Sequence, residues 1–335
     1  MTVRVGIIGL GFMGRTHLAA YRAAAAAGLD VRVVAAADVN IDRVGSHKGG
    51  NLNTSNAVDL SGVRTSADVH SVLEAADVDA VSICTPTDTH VDLACYALRA
   101  GKHVLLEKPV SLLADDVTSV RLVSESSGKL CMPAMCMRFW PGWVWLKDAI
   151  TSGVYGKVLS ATFHRLGSAP DWNPGFYGDP AKSGGALFDL HIHDTDFIIW
   201  CFGKPTSVSS AGSLRHVTTQ YWFAEGPEHV VAEGGQDHAP GFGFRMRYTV
   251  VFEHATAEFD LARTPQLLLY RNGTQEAIPT EGPSGYEAEI AHFVSAVARG
   301  AAPSELRATL DDAHVVTLVL ESERFCLNRQ GREVY

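Results

Sequence analysis

The chain has 335 residues, enough for about two domains, and 28 basic against 37 acidic side chains give a formal net charge of −9. That balance speaks against binding to a phosphate backbone, which needs a basic face. At 46% apolar and 19% charged residues, the composition excludes wholesale disorder, collagen-like repeats and coiled coils.

Residues 3–8 form a β-branched run ending at Gly9. Residues 12–27 read as an Ala-rich helix closed by Gly28. A second strand covers 31–37, with Asp38 at its end. Residues 45–62, rich in Gly, Asn and Ser, read as a long exposed loop. There follow a short helix over 66–76, a strand over 80–85 stopped by Pro86, and a helix over 88–100 ended by Gly101. A strand over 103–107, a helix over 111–127 and a strand over 129–135 complete this half. Such alternation predicts an α/β fold with a doubly wound parallel sheet. Its near-continuous apolar strands suit a sheet covered on both faces.

The second half is different. Strand-like runs stand in series at 157–166, 208–213, 242–252, 255–261 and 266–270. Arg271-Asn272-Gly273-Thr274 reads as a hairpin turn, since Asn-Gly readily supplies positive φ. Helices over 286–298 and about 306–326 close the chain. Strands in series imply a large, open, mostly antiparallel sheet in an α+β domain. The domains are therefore placed at 1–135 and 136–335, with the last helix able to pack back on the first domain.

Six cysteines (Cys84, Cys95, Cys131, Cys136, Cys201 and Cys326) lack CxxC spacing and fit reduced, buried thiols. The apolar N-terminus is interrupted by glycines, Arg15 and His17, unlike a signal peptide. No stretch reaches the ~18 apolar residues of a membrane span. A cytoplasmic protein with neither nucleic-acid nor membrane partners is expected.

Gly9-Leu10-Gly11-Phe12-Met13-Gly14 is a GxGxxG between a strand and a helix. One glycine serves the tight turn, one the close approach of a pyrophosphate, one the helix–strand packing. The helix start offers N–H groups and a positive dipole end to phosphates. Asp38 lies 24 residues after Gly14. Its carboxylate would bond the adenosine ribose hydroxyls and repel a 2′-phosphate, favouring NAD over NADP, with nearby Arg43 the one contrary feature. The 45–62 loop could cover the adenosine end, but a tolerated surface insertion is the preferred reading.

Glu107-Lys108-Pro109 ends a later strand, where ligands of such sheets bind. As a bare tripeptide it equally suits a surface lysine before a turn. The densest polar cluster is Gly184–Asp196, GGALFDLHIHDTD. Asp189 and His193 are four apart and would share a helical face, a carboxylate–imidazole pair suited to general-base work. His191 reads equally as a substrate contact or a hydrogen-bonded core histidine. Zinc held by Asp189, His191, His193, Asp194 and His164 is set aside, because no cysteine is near and HxH does not share a helical face. No metal is expected. Arg138, Arg165, Asp171 and Trp172 flank these motifs and suit hydroxyl-rich ligands, with Arg and Asp for hydroxyls and an aromatic face for C–H faces. Trp140 shares that character, while Trp143 and Trp145 read as packed helix residues.

Together these pieces resemble the glucose–fructose oxidoreductase / inositol dehydrogenase / rhizopine-catabolism (Gfo/Idh/MocA) superfamily. The likeness runs in order through GLGFMGRTH, AAADVN, VDAVSICTPTDTH, AGKHVLLEKPVS, MRFWP, SGGALFDLHIHDTDFIIWCFG and YEAEIAHFVSAVARG. It implies a Rossmann domain followed by a substrate domain whose sheet often makes dimer or tetramer contacts. It implies Lys108 and His193 as the catalytic pair, with Asp189 completing a triad. Thr85, Pro86, His90, Glu107 and Lys108 match positions on the nicotinamide half of the cofactor site, joining Gly9, Gly11, Phe12, Met13, Gly14 and Asp38. Lys108–Pro109 matches a cis peptide. His191 stands where the family is often small, and the 45–62 loop replaces a usual helix. The implied activity is NAD-dependent hydride transfer with a secondary alcohol of a sugar, glycoside or cyclitol, in a homodimer or homotetramer. The alternatives are an NAD-dependent glycoside hydrolase, a non-catalytic sugar- or NAD-sensing regulator, and an NADPH-dependent reductase, which Asp38 opposes.

Overall fold

Strand β1 (Val3–Ile8) is buried along nearly its whole length, as an apolar run between two covering layers should be. The computed structural model describes residues 2–46, 58–170 and 173–329. The chain divides into one unit of Met1–Phe139 with Pro283–His314 and another of Trp140–Gly282 with Val315–Tyr335.

In the first unit β1 is followed by α1 (Phe12–Ala26), β2 (Val31–Ala37), β3 (Arg64–Ser66), α2 (His70–Leu73) and β4 (Ala80–Ile83). Then come α3 (His90–Arg99), β5 (His103–Leu106), α4 (Ala114–Ser127) and β6 (Cys131–Pro133). The six strands lie parallel in the order β3-β2-β1-β4-β5-β6. The order reverses between β1 and β4, so their carboxyl ends border the crevice where such sheets take ligands. The helix expected over 66–76 shrinks to α2. Ser66 ends a strand instead, and the Ser66 and Asp68 side chains accept the amides of Asp68 and His70, local bonds that favour a turn. Of the expected 45–62 loop, 47–57 lie outside the described residues, and the chain before them makes a 3₁₀ turn, Ile41–Ser46.

His103 on β5 gives this unit a pH dependence. Its Nδ1 accepts the Leu130 amide at 3.0 Å. Burial, helped by the Lys129 charge, pushes its pKa from 6.5 down to about 4. The unfolded chain then binds the proton more readily than the folded one, so stability falls as pH drops from 6.5 toward 4. The urea midpoint should fall between pH 7 and pH 5, and less steeply in His103→Gln. An identical pH slope in that variant would remove His103 from the account.

The second unit holds α5 (Pro141–Ser152), β7 (Val158–Ser168), α6 (Pro174–Tyr177), α7 (Pro180–Ser183), a π-helical turn (Leu187–His191) and α8 (Ile192–Phe202). Its other strands are β8 (Ser207–Ser213), β9 (His216–Trp222), β10 (His229–His238), β11 (Arg245–Phe252), β12 (Thr256–Asp260), β13 (Leu267–Arg271) and β14 (Thr274–Ile278). The eight strands run β14-β13-β12-β11-β7-β10-β9-β8, with β7–β10 parallel and the other neighbours antiparallel. Arg271 pairs with Thr274 across Asn272 and Gly273, both at positive φ, as the hairpin reading requires. Trp143 is fully buried and meets Phe197, Tyr248 and Phe259 edge-on, the center of this core.

After β14 the chain forms α9 (Gly285–Arg299) and α10 (Leu310–Arg329). Ser284 and Glu287 make a reciprocal capping box at the start of α9. Its apolar face packs on α1 and β1. Residues 283–314 thus join the first unit, where the sequence reading set the boundary at 135 and let only the last helix pack back. The amphipathic pattern of 286–298 shows that a face is buried, not which neighbour buries it.

Candidate active site

The loop between β1 and α1 needs glycine at two of its three marked positions, Gly9 and Gly14. Gly9 has φ +86°, and a Cβ there would meet the Cys84 carbonyl oxygen at 2.7 Å. At Gly14 a Cβ would stand 1.8 Å from the Gly9 oxygen, so α1 can rest on the loop only without one. At Gly11 a Cβ would meet nothing within 4 Å. The space beside Gly11 is therefore open, which leaves room for a pyrophosphate to come close to the backbone. Gly11 is also the N-cap of α1 and no side chain caps the helix, whose positive end is open to an anion, with Phe12 and Met13 in its first turn. Asp38 accepts the Leu10 amide on Oδ2 and the Asn40 amide on Oδ1, each at 2.7 Å. Each oxygen retains a lone pair for a ribose hydroxyl. These residues fit a dinucleotide.

At the ends of β4 and β5 the chain fixes its own loops. Thr85 is half-buried and its hydroxyl accepts from Thr89, while Pro86 is exposed. His90 is buried, with Nδ1 2.8 Å from the Pro109 oxygen and Nε2 2.8 Å from the Thr85 oxygen. It therefore ties the two loops together and offers no nitrogen to a ligand. Burial lowers its pKa. Buried Glu107 accepts from His17 Nε2 at 3.0 Å and from the Lys108 amide at 3.1 Å. Burial pushes the Glu107 pKa up, but the His17 bond and the neighbouring positive charges outweigh it and hold the carboxyl below its usual range. The Lys108–Pro109 peptide is cis, and Lys108 itself is half-buried.

In the second unit, Asp189 lies in the π-helical turn and His193 in the first turn of α8, both half-buried. The wider i→i+5 turn replaces the plain α-helix expected here; such turns recur at functional sites. Asp189 accepts a short hydrogen bond from Gln236 of β10. Gly234 of the same strand lets the turn approach, since a Cβ there would stand 2.8 Å from the His191 Cβ. Sequence reasoning missed Gln236, because Gly234 and Gly235 weaken the strand signal of β10.

Three residues expected to touch substrate are turned inward. Arg138, 1% exposed, donates to the Arg307 carbonyl and pairs with Asp312. Arg165, 2% exposed, binds both oxygens of fully buried Asp194 at 2.8 and 3.0 Å. His191, fully buried, lies 2.9 Å from Glu323 and 3.0 Å from the Tyr221 hydroxyl. A desolvated charge must be paired, and these partners supply the pairing that substrate was expected to give. His191 is thus placed as a buried, hydrogen-bonded histidine. Asp171 and Trp172 lie outside the described residues.

Comparison with known proteins follows this division. Residues 3–135 match the oxidoreductase family with an NAD-binding Rossmann fold, and residues 143–262 match the GFO/IDH/MocA C-terminal domain. An inositol 2-dehydrogenase of Rhizobium meliloti is 30% identical over 91% of this chain and 92% of its own. A scyllo-inositol 2-dehydrogenase (NAD(+)) of Bacillus subtilis is 26% identical over 73% of this chain and 76% of its own. Among solved structures, a levoglucosan dehydrogenase in complex with NADH and levoglucosan superposes with a TM-score of 0.83 at 20% identity, covering 98% of both chains. At that identity the likeness concerns the fold alone.

Proposed function

The chain belongs to the Gfo/Idh/MocA oxidoreductase family, and on that premise we propose that it transfers a hydride between NAD and a secondary alcohol of a sugar, glycoside or cyclitol. The observation that carries this is the open Gly11 position at an uncapped helix start, in a chain that also holds Lys108 and the Asp189–His193 pattern. Relatives named as inositol 2-dehydrogenases favour a cyclitol.

NAD, when bound, supplies the redox chemistry by exchanging a hydride with the substrate carbon. Gly11 and the start of α1, on the turn that Gly9 and Gly14 permit, would hold its phosphates, and Asp38 its ribose. His193 takes the hydroxyl proton at a ring nitrogen. Asp189, fixed by Gln236, orients that ring. Lys108 stabilises the negative charge that develops on the oxygen. Thr85 and Pro86 border the nicotinamide half, where His90 and Glu107 hold the loops in place. Asp171 and Trp172 are the substrate contacts that stay in the proposal.

Absorbance at the NADH band tests this, with NAD+ or NADP+ and a panel of inositols, aldoses and aryl glycosides. Growth with one polyol class supports the dehydrogenase. Aryl release that needs NAD but yields no NADH would turn the reading to the hydrolase. Silence in both, with NAD still bound, would turn it to the sensor.

Asp38→Ala should weaken NAD binding about tenfold or more, from loss of a hydrogen bond to a charged group, and narrow the preference over NADP. A cofactor preference unchanged in that variant would remove Asp38 from the ribose site. We propose a homodimer or homotetramer in the cytoplasm. In support, alternate residues of β7 such as Thr162 and His164 are only half-buried in this chain, and all six cysteines are free thiols.

A further inference from the structure

His216 opens β9, and Asp237 and His238 end β10. None of the three has a role in the reaction above, yet their ligand atoms lie within 4.8 Å of one another. His216 Nδ1 is 2.8 Å from Asp237 Oδ1, and His238 Nδ1 is 3.7 Å from that oxygen. His238 Nδ1 is buried and makes no hydrogen bond. A buried imidazole nitrogen directed at a carboxylate it does not bond is costly unless something lies between them.

The surroundings hold the rings in place. His216 Nε2 is 2.8 Å from Glu233 Oε1. His216 Nδ1 also stands at hydrogen-bond distance from Asp237, so a cation bound there displaces the proton those two atoms share while the Nε2–H stays on Glu233. A carboxylate behind an imidazole is the usual support of a metal-binding histidine. Gly235 lets the ring lie over the strand, because a Cβ there would stand 2.7 Å from His216 Nδ1. His238 stacks on Phe242 with ring centroids 4.1 Å apart.

We propose that His216, Asp237 and His238 bind one divalent transition-metal ion of the zinc class, with Glu233 orienting His216. Two imidazoles and one carboxylate suit zinc, cobalt or nickel better than magnesium or calcium. Asp237, 46% exposed, leaves the ion within reach of solvent and of further ligands. The ion joins β9 to the end of β10. The proposal does not depend on the dehydrogenase reading.

The test titrates the tag-free full chain, stripped with chelator and dialysed, with Zn2+ by calorimetry and with Co2+ by visible absorption. One equivalent per chain is expected, with cobalt ligand-field bands. His238→Ala should abolish both signals, and Glu233→Gln should weaken binding about 10- to 100-fold. Asp237→Asn, which keeps the side-chain shape, should also lose the site. NAD binding should match wild type in the variants and each should still unfold cooperatively without metal, which shows that the fold is intact. Absence of saturable binding, or binding unchanged in His238→Ala and Asp237→Asn, would overturn the proposal.

Discussion

His193→Ala is expected to lower kcat for polyol oxidation by about 10²- to 10⁴-fold, the usual worth of a positioned general base. NAD affinity should be unchanged. The residues assigned to the cofactor lie in the loop and strand ends of the first unit, and His193 lies in α8 of the second. Kinetics give the first quantity and NAD titration the second. Loss of NAD affinity with turnover retained would contradict the assignment. Gln236→Leu should move the same way by a smaller factor and shift the pH profile of kcat, since it removes the bond that holds Asp189.

Glu323→Ala should destabilise the second unit by about 3–5 kcal/mol, the usual cost of breaking a buried pair. Glu323 is fully buried. Its carboxylate meets His191 at 2.9 Å, the Tyr221 hydroxyl at 3.0 Å, the Thr219 hydroxyl at 3.0 Å and the Thr195 hydroxyl at 3.4 Å. Burial, with the Glu323 charge beside it, raises the Tyr221 pKa well above its usual value, so its O–H stays a donor. Alanine would remove the acceptor these four groups share, leaving His191, Tyr221 and Thr195 only one another and Thr219 only the Ser210 hydroxyl. Because His191 closes the π-helical turn that carries Asp189, folded variant should also turn over more slowly. Urea unfolding measures the first effect, and Glu323→Gln, which keeps the shape, should recover part of it. A loss under about 1 kcal/mol, typical of exposed pairs, would contradict this network.

Much of the first unit was legible because its signals are local. The β-branched run, the glycine loop and Asp38 lie within forty residues and depend on each other's spacing. The positive φ of Asn272 and Gly273 was legible for the same reason, as turn chemistry is written in adjacent residues. What sequence reasoning missed depends on distant partners. Arg138, Arg165 and His191 look like ligand-binding side chains until Asp312, Asp194 and Glu323 are seen beside them. Glu323 lies on α10, more than a hundred residues from the motif it supports, in a pattern that reads as an ordinary helix. The π-helical turn was hidden too, because its five residues are too few to show a period of their own. Strand β10 failed for an opposite reason. Gly234 and Gly235 depress its strand propensity, and those glycines are what let His191 and His216 sit on it.

The central claim is that this chain moves a hydride from a carbinol carbon to NAD. It is tested most directly with inositol carrying deuterium on its carbinol carbons, NAD+ and the purified protein, followed by mass analysis of the reduced cofactor. NADH one mass unit heavier than that from unlabelled inositol is expected, formed by wild type and not by His193→Ala. NADH without the label, or label lost to water while no NADH accumulates, would contradict it.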